Sequence, residues 1–354
     1  MNQLTPRQYR ILQFIQTQES TSNAGIRAYF IQVSVPISRI TLIRELDILV
    51  HTKSIQKYGA GRNVRYKLTE ETPLLRVIDP EFYFKTESDQ RTILKTFNFD
   101  IFTSFSAPIF TESEQQKLTA LTLAYQKNQA SMPPYLIQKE TQRLTIELSW
   151  KSSQIEGNTY SLLDTEALVK ENREAPGHTK EEALMILNHK YAIDYIMAHP
   201  ENFTIMSLRK IEDIHGLLVQ NLPGVHHGIR HHQVRIIGTN YYPLDTPYQV
   251  KEALESTVDL VNRQKNPFQK ALSAILLISY IQPFIDGNKR AARLIGNALL
   301  HAHRACPLSY RSIDPVDYKK AVLLFYEQNS LAYFKTLFIA QYEFSVKNYF
   351  SDLK

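Results

Sequence analysis

From Ala271 to Ile281 runs the longest apolar stretch of the chain, interrupted by Ser273 and Ser279 and halted near Pro283. A helix needs about 20 consecutive apolar residues to cross a bilayer, so this run is too short to be a membrane span. It reads as an apolar helix of a soluble protein. Asp286-Gly287-Asn288 then marks a turn, and Lys289 to His303 reads as a second helix. Only 11 glycines interrupt 354 residues with long apolar-periodic stretches, so the expected fold class is mainly α.

The second helix begins with an unfavourable charge arrangement. Lys289, Arg290 and Arg293 sit in its first turns, where the macrodipole is already partly positive. Each exposed cation there costs roughly 0.3–1 kcal/mol. A bound anion reverses the balance, because free backbone N–H groups and three cations then converge on it. Arg290 and Arg293 are three residues apart and share one helix face, as a pair clamping a polyphosphate would. The simpler alternative is a capping Asp286 followed by solvated basic residues.

The remaining chain suggests several parts. Residues 1–68 hold ten Lys/Arg against three Asp/Glu, a balance of +7, whereas the remaining 31 and 32 nearly cancel. Such asymmetry suggests a polyanion-binding module on a near-neutral body. Thr5 and Pro6 suit a helix start, and residues 5–17, 26–32 and 36–50 read as three helices. In the third, Ile37, Ile40, Leu42, Ile43, Leu46 and Leu49 form the expected apolar face. Two strands, Ile55–Tyr58 and Val64–Leu68, flank a turn at Gly59–Asn63. This order resembles a winged helix-turn-helix, which implies DNA as partner, with Arg39, Thr41 and Arg44 facing a major groove and Arg62 reaching phosphate. Residues 69–130 read as a connector, aromatic-rich but without a period. Helices are expected from Met132 onward and over 161–171, 180–198 and 206–219. The single cysteine, Cys306, excludes an internal disulfide and a cysteine-based zinc site and fits a cytoplasmic location. The N-terminus lacks a signal-peptide layout.

The turn and its helix, Gln282-Pro-Phe284-Ile-Asp286-Gly287-Asn288-Lys289-Arg290-Ala-Ala-Arg293, resemble the Fic signature H-x-F-x-[D/E]-G-N-G-R-x-x-R. Ser152-x-x-x-Glu156-Gly157 resembles the inhibitory helix that some Fic proteins carry N-terminal to the core. Gly228-Ile229-Arg230 precedes an expected hairpin, Gln233–Tyr242, that looks like the target-docking flap, with Val234, Ile236, Gly238 and Tyr241 on it. The resemblance implies a helical N-terminal extension over 131–200, a Fic core over 201–310 and C-terminal helices over 311–354.

It also implies roles. Asp286 would hold Mg²⁺; Gly287, Asn288, Lys289 and Arg290 would surround the α- and β-phosphates of ATP, and Arg293 would contact the γ-phosphate. Glu156 would pair with Arg293 in the resting state. The activity implied is transfer of AMP to a Tyr, Ser or Thr hydroxyl of a target protein, with no membrane partner and a homodimer as default. Two positions depart from the signature. Gln282 replaces the histidine that serves as general base, and a carboxamide has no useful basicity near neutral pH. Lys289 replaces a glycine, as in the phosphate-transferring Doc branch. A nucleotide-sensing, DNA-binding regulator without transfer chemistry is the alternative. Histidines 226, 227, 231 and 232, just before the flap, are the candidates for a substitute base.

Overall fold

The computed structural model describes residues 5–18, 20–51, 54–68 and 73–351. They fall into two compact units, Met1–Lys85 and Thr86–Lys354. The boundary lies within the 69–130 stretch expected to be a connector.

In the first unit, α1 (Pro6–Thr17) starts on a capping box in which the Thr5 hydroxyl and the Gln8 side chain satisfy each other's backbone N–H. Helices α2 (Asn23–Gln32) and α3 (Arg39–His51) follow. Strands β1 (Ile55–Tyr58) and β2 (Arg65–Leu68) pair antiparallel, with Ile55 opposite Leu68 and Tyr58 opposite Arg65. Thr21 adds a short bridge to Tyr66. Ile11, Ile15, Ile26, Phe30, Leu42, Leu46, Leu49 and Ile55 form the core. A short helix, α4 (Pro80–Tyr83), closes the unit.

The apolar face expected for α3 is only partly the buried one. Leu42, Leu46 and Leu49, spaced four and three apart, turn inward, but Ile40 is 75% exposed and Ile43 37%. A helix buries one stripe at its 3.6-residue period, and Ile40 and Ile43 fall outside it. Arg39 and Arg44 are exposed, whereas Thr41 is half-buried, its hydroxyl bonded to Ser38 Oγ at 2.8 Å. Arg62 lies in the loop between the strands, and its side chain is outside the described residues.

The second unit is helical. After α5 (Ile101–Ser104) come α6 (Glu112–Ser131), α7 (Pro134–Ile155), α8 (Leu162–Glu171), α9 (Lys180–Ala198) and α10 (Leu208–Val219). The chain continues with α11 (Pro247–Arg263), α12 (Pro267–Ile281), α13 (Asn288–Ala302), α14 (Pro315–Gln328) and α15 (Ala332–Asn348). The apolar run lies in α12, whose residues Phe268 to Ile281 are all buried. That is the signature of a central core helix. Helices α11, α13 and α14 pack around it. Gly296 lets α13 approach closely, since a Cβ there would lie 2.5 Å from Ile275. The 20-residue helix α6 starts on a capping box at Thr111 and buries Leu118 and Tyr125. Its other face is largely polar, which leaves a weak periodic signal in sequence. Among the described residues, no helix is long and apolar enough to cross a membrane.

Candidate functional site

The site is the turn between α12 and α13. Helix α12 ends at Gln282, which caps it in left-handed backbone (φ 52°). Gly287 is also left-handed (φ 79°) and begins α13, a conformation that costs glycine little. The Asn288 carboxamide closes the turn on Phe284, accepting from its N–H and donating to its carbonyl, both at 2.8 Å. Asn288 therefore shapes the turn, while the N–H groups of Asn288, Lys289 and Arg290 have no backbone partner among the described residues. Phe284 is buried and stacks on His215, with ring centroids 3.6 Å apart. His215 donates from Nε2 to the Asp286 carbonyl at 2.9 Å. Burial lowers its pKa to about 4, against the help of that hydrogen bond, so the ring is neutral at pH 7.

The charged residues are paired in a definite way. Glu156, at the end of α7, receives Arg293 Nη1 on Oε1 at 2.9 Å and Lys289 Nζ on Oε2 at 2.7 Å. Arg293 is wholly buried and also donates to the hydroxyl (2.9 Å) and carbonyl (2.9 Å) of Ser152. Its guanidinium carbon lies 5.1 Å from the Tyr318 ring centroid. The Ser152 hydroxyl shares a 2.7 Å hydrogen bond with His189, which is buried. Gly157 follows Glu156 in the turn after α7. Arg290 is 1% exposed and reaches Asp286 at 2.8 Å, yet its Nη1 has no hydrogen-bond partner among the described residues. Burial lowers its pKa, and Asp286 and Glu156 oppose this. A buried cation left short of acceptors is a place where an anion is stabilised.

These groups border a cavity of about 420 Å³. Its walls bring together Glu156, Gln282, Asp286, Gly287, Asn288, Lys289 and Arg290 with Val234 and Ile236 of the flap. Arg235, Lys319 and Tyr326, unforeseen in the sequence, line it too. Four cations thus face two carboxylates. Arg293 is not in the lining and sits behind Glu156. The Gln282 Nε2 donates to the Ser279 carbonyl at 2.6 Å and lies 3.3 Å from the Tyr326 hydroxyl. The carbonyl partner fixes the amide orientation and turns Oε1 away from that bond. Among the described residues, no histidine lines the cavity; those at 226, 227, 231 and 232 are exposed on the chain leading to it.

The flap departs from expectation. Residues 233–242 form no ladder with each other among the described residues. The chain turns at Gly238, and its return arm bonds outward: Tyr242 N–H donates to Lys95 O at 2.8 Å, and Asn240 reaches Asp89 at 3.0 Å. Tyr241 is buried, with its hydroxyl on the Tyr280 carbonyl at 3.0 Å, and so anchors the flap to α12.

Residues 205–300 match the family model described as Fic/DOC family. Those residues form a Fic/DOC domain. It spans α10, the flap, α11, α12 and nearly all of α13. The chain is 28% identical over 177 residues to "Protein adenylyltransferase Fic" of Nematostella vectensis, covering 48% of this chain and 40% of the relative. It is 30% identical over 154 residues to "Protein adenylyltransferase fic-1" of Caenorhabditis briggsae, covering 41% and 30%. The chain thus spans less than half the length of these curated relatives. Among solved structures, Fic-1 of C. elegans superposes with a TM-score of 0.57 at 20% identity, over 67% of this chain and 71% of that one. A Fic domain containing signaling protein of Bacteroides thetaiotaomicron also gives 0.57, at 18% identity, over 65% and 94%. These likenesses concern the fold.

Burial acts against the charge of Glu156, but Arg293 and Lys289 outweigh it and hold the carboxyl at about 2. A carboxyl with a depressed folded pKa stabilises above its unfolded pKa, and the contribution fades as pH falls toward the folded value. Urea unfolding of native and Glu156→Gln chains is expected to differ by about 3 kcal/mol above pH 5. The difference should shrink steadily between pH 4.5 and 2; a pH-independent difference would refute the ion-pair account.

Proposed function

We propose that the chain binds ATP with Mg²⁺ at the α12–α13 turn, that Glu156 restrains productive binding, and that transfer of AMP to a protein hydroxyl is slow because Gln282 is no base. The observation that carries this reading is the Glu156 carboxylate held by both Arg293 and Lys289 at the edge of a cation-lined cavity. Arg290 and the free N–H groups at the start of α13 suit the α- and β-phosphates. Arg293 becomes available to a terminal phosphate once Glu156 leaves. Asp286, with its side chain 57% exposed, would hold the Mg²⁺. One protein carboxylate suits an ion that takes its other ligands from phosphate and water. Bound there, Mg²⁺ would neutralise charge on the phosphates.

In the proposed reaction, the target hydroxyl oxygen bonds to the α-phosphorus, the bond to pyrophosphate breaks, and the hydroxyl proton passes to solvent water for want of a side-chain base. The Gln282 Oε1 can receive a hydrogen bond from the hydroxyl and cannot keep its proton. Loss of a general base typically lowers the rate about 10²–10⁴-fold. The free backbone of the flap would hold the target segment by strand addition. Histidine tolerates left-handed backbone better than most residues, so Gln282→His fits the observed capping conformation.

The +7 balance of residues 1–68 favours a second role. We infer that the first unit is a winged helix-turn-helix that binds DNA through α3, with Arg39 and Arg44 exposed on that helix. A protein that senses nucleotide in its Fic/DOC domain and binds DNA through the first unit needs no turnover. A homodimer suits a palindromic DNA site, and the cytoplasm suits both roles.

Paired labelling separates the readings. With α-³²P-ATP, Gln282→His/Glu156→Gly is expected to label itself at least about 100-fold more than the native chain, with no transfer from γ-³²P-ATP. Strong native labelling would show that another group serves as base, and silence of the double variant would remove the transferase reading. Duplex DNA is expected to shift with the native chain at low salt, with affinity falling steeply as salt rises and weakening in Arg39→Ala/Arg44→Ala. Absence of any shift at low salt would remove the DNA-binding role.

A further inference from the structure

We propose that Arg91 is a positioning residue that fixes the flap, through a strap formed by residues 86–99. This strap lies outside the matched region 205–300. The Arg91 guanidinium meets Glu327 of α14 with two bonds, Nε to Oε2 at 2.9 Å and Nη2 to Oε1 at 2.8 Å. Both side chains are buried, at 6% and 0% exposure. From the same Nη2, Arg91 donates to the carbonyl of Gly238. Gly238 directly follows Val234, Arg235, Ile236 and Ile237, the four flap residues that line the cavity. It is also the left-handed residue (φ 88°) at which the flap turns back.

The rest of the strap supports this contact from both sides. Leu94 N–H donates to Glu327 O at 2.8 Å and Gln328 donates to Thr92 O at 2.6 Å, so α14 holds the strap. Asn240 and Tyr242 bond to Asp89 and Lys95, so the strap holds the return arm of the flap. The flap base is pinned differently. Buried Arg230 donates to Gln282 O at 2.7 Å, to His232 O at 2.8 Å and to Leu244 O. Between these two arginines, residues 233–237 make no backbone hydrogen bond among the described residues. A segment with no ladder of its own keeps one position only if its ends are fixed. Arg230 fixes the base and Arg91 the tip.

The consequence for target docking rests on the reading of 233–242 as a docking flap; the positioning itself does not. It predicts that releasing Arg91 loosens the wall of the cavity formed by the flap while the α12–α13 turn stays in place.

Spin labels on cysteines at Ile237 and Leu123 test this by pulsed distance measurement in the full chain. Ile237 is 98% exposed and Leu123, on α6, 61%. The native Cys306 is fully buried, and burial pushes its thiol above the usual range, so it will not label. The expected result is a single narrow distance distribution that broadens about twofold in Arg91→Lys. Lysine keeps a charge beside Glu327 but cannot also reach Gly238. If loss of the bidentate pair unfolds that variant, Arg91→Met/Glu327→Met removes both charges without leaving one orphaned, and the same broadening is expected. An unchanged width in a folded variant of either kind would overturn the proposal. The measurement needs no nucleotide and no turnover, so failure of the ATP reading would leave it intact.

Discussion

The fully buried guanidinium of Arg293 is the interaction on which the site depends. An unpaired charge there would cost several kcal/mol. Three acceptors on α7 meet it: the Ser152 hydroxyl, the Ser152 carbonyl and the Glu156 carboxylate. Tyr318 of α14 covers its face, and His189 of α9 braces the Ser152 hydroxyl. One side chain on α13 thereby fixes how α7, α9 and α14 sit around it. Removing Glu156 takes away one acceptor of three, so Arg293 keeps the Ser152 bonds that hold it in place while gaining a free edge. Under the proposed function, that asymmetry would let another anion take the place of Glu156, whereas Ser152 belongs to the framework.

Lys289 adds to the restraint. The signature that the turn resembles has glycine at this position, yet here the lysine takes the second oxygen of Glu156. Under the proposed function, an entering polyphosphate would have to displace the carboxylate from two cations, and each cation released could then serve the phosphate. Binding and restraint would then share the same residues, while chemistry would need a separate one at Gln282. The Gln282 carboxamide, which caps α12 in left-handed backbone, stands where the resembled signature has histidine and lacks a histidine's proton affinity. On that reading, phosphate affinity and transfer rate would be set by different side chains and could vary independently.

Some of this was legible in the sequence for physical reasons. The Asp286-Gly287-Asn288 turn marked the start of α13, and the cations Lys289, Arg290 and Arg293 stood out beside it because helix electrostatics is local. The apolar run marked α12, since a helix buried all round carries an unmistakable composition. Thr5 marked the first helix through its cap. Long-range partners were not legible. His189 is buried against Ser152 and His215 against Phe284 and the Asp286 carbonyl, and no sequence signal separates them from the four exposed histidines near the flap. Lys319 and Tyr326 come from α14, and only the fold brings them to the cavity that Gln282 lines. Arg91 lies in a stretch without periodicity because its partners, Glu327 and Gly238, are distant in the chain. The expected flap hairpin failed for the same reason: its return arm bonds to the strap, and hydrogen bonds across the chain leave no local pattern.

The central claim is that the Glu156 carboxylate and a nucleotide phosphate compete for Arg293 and Lys289. Titration calorimetry with ATP and Mg²⁺ on the native chain and on Glu156→Gly tests it most directly, since neither turnover nor a target is required. The account predicts affinity higher by about tenfold or more in the variant, corresponding to at least about 1.4 kcal/mol. Equal affinity in the two chains would contradict it.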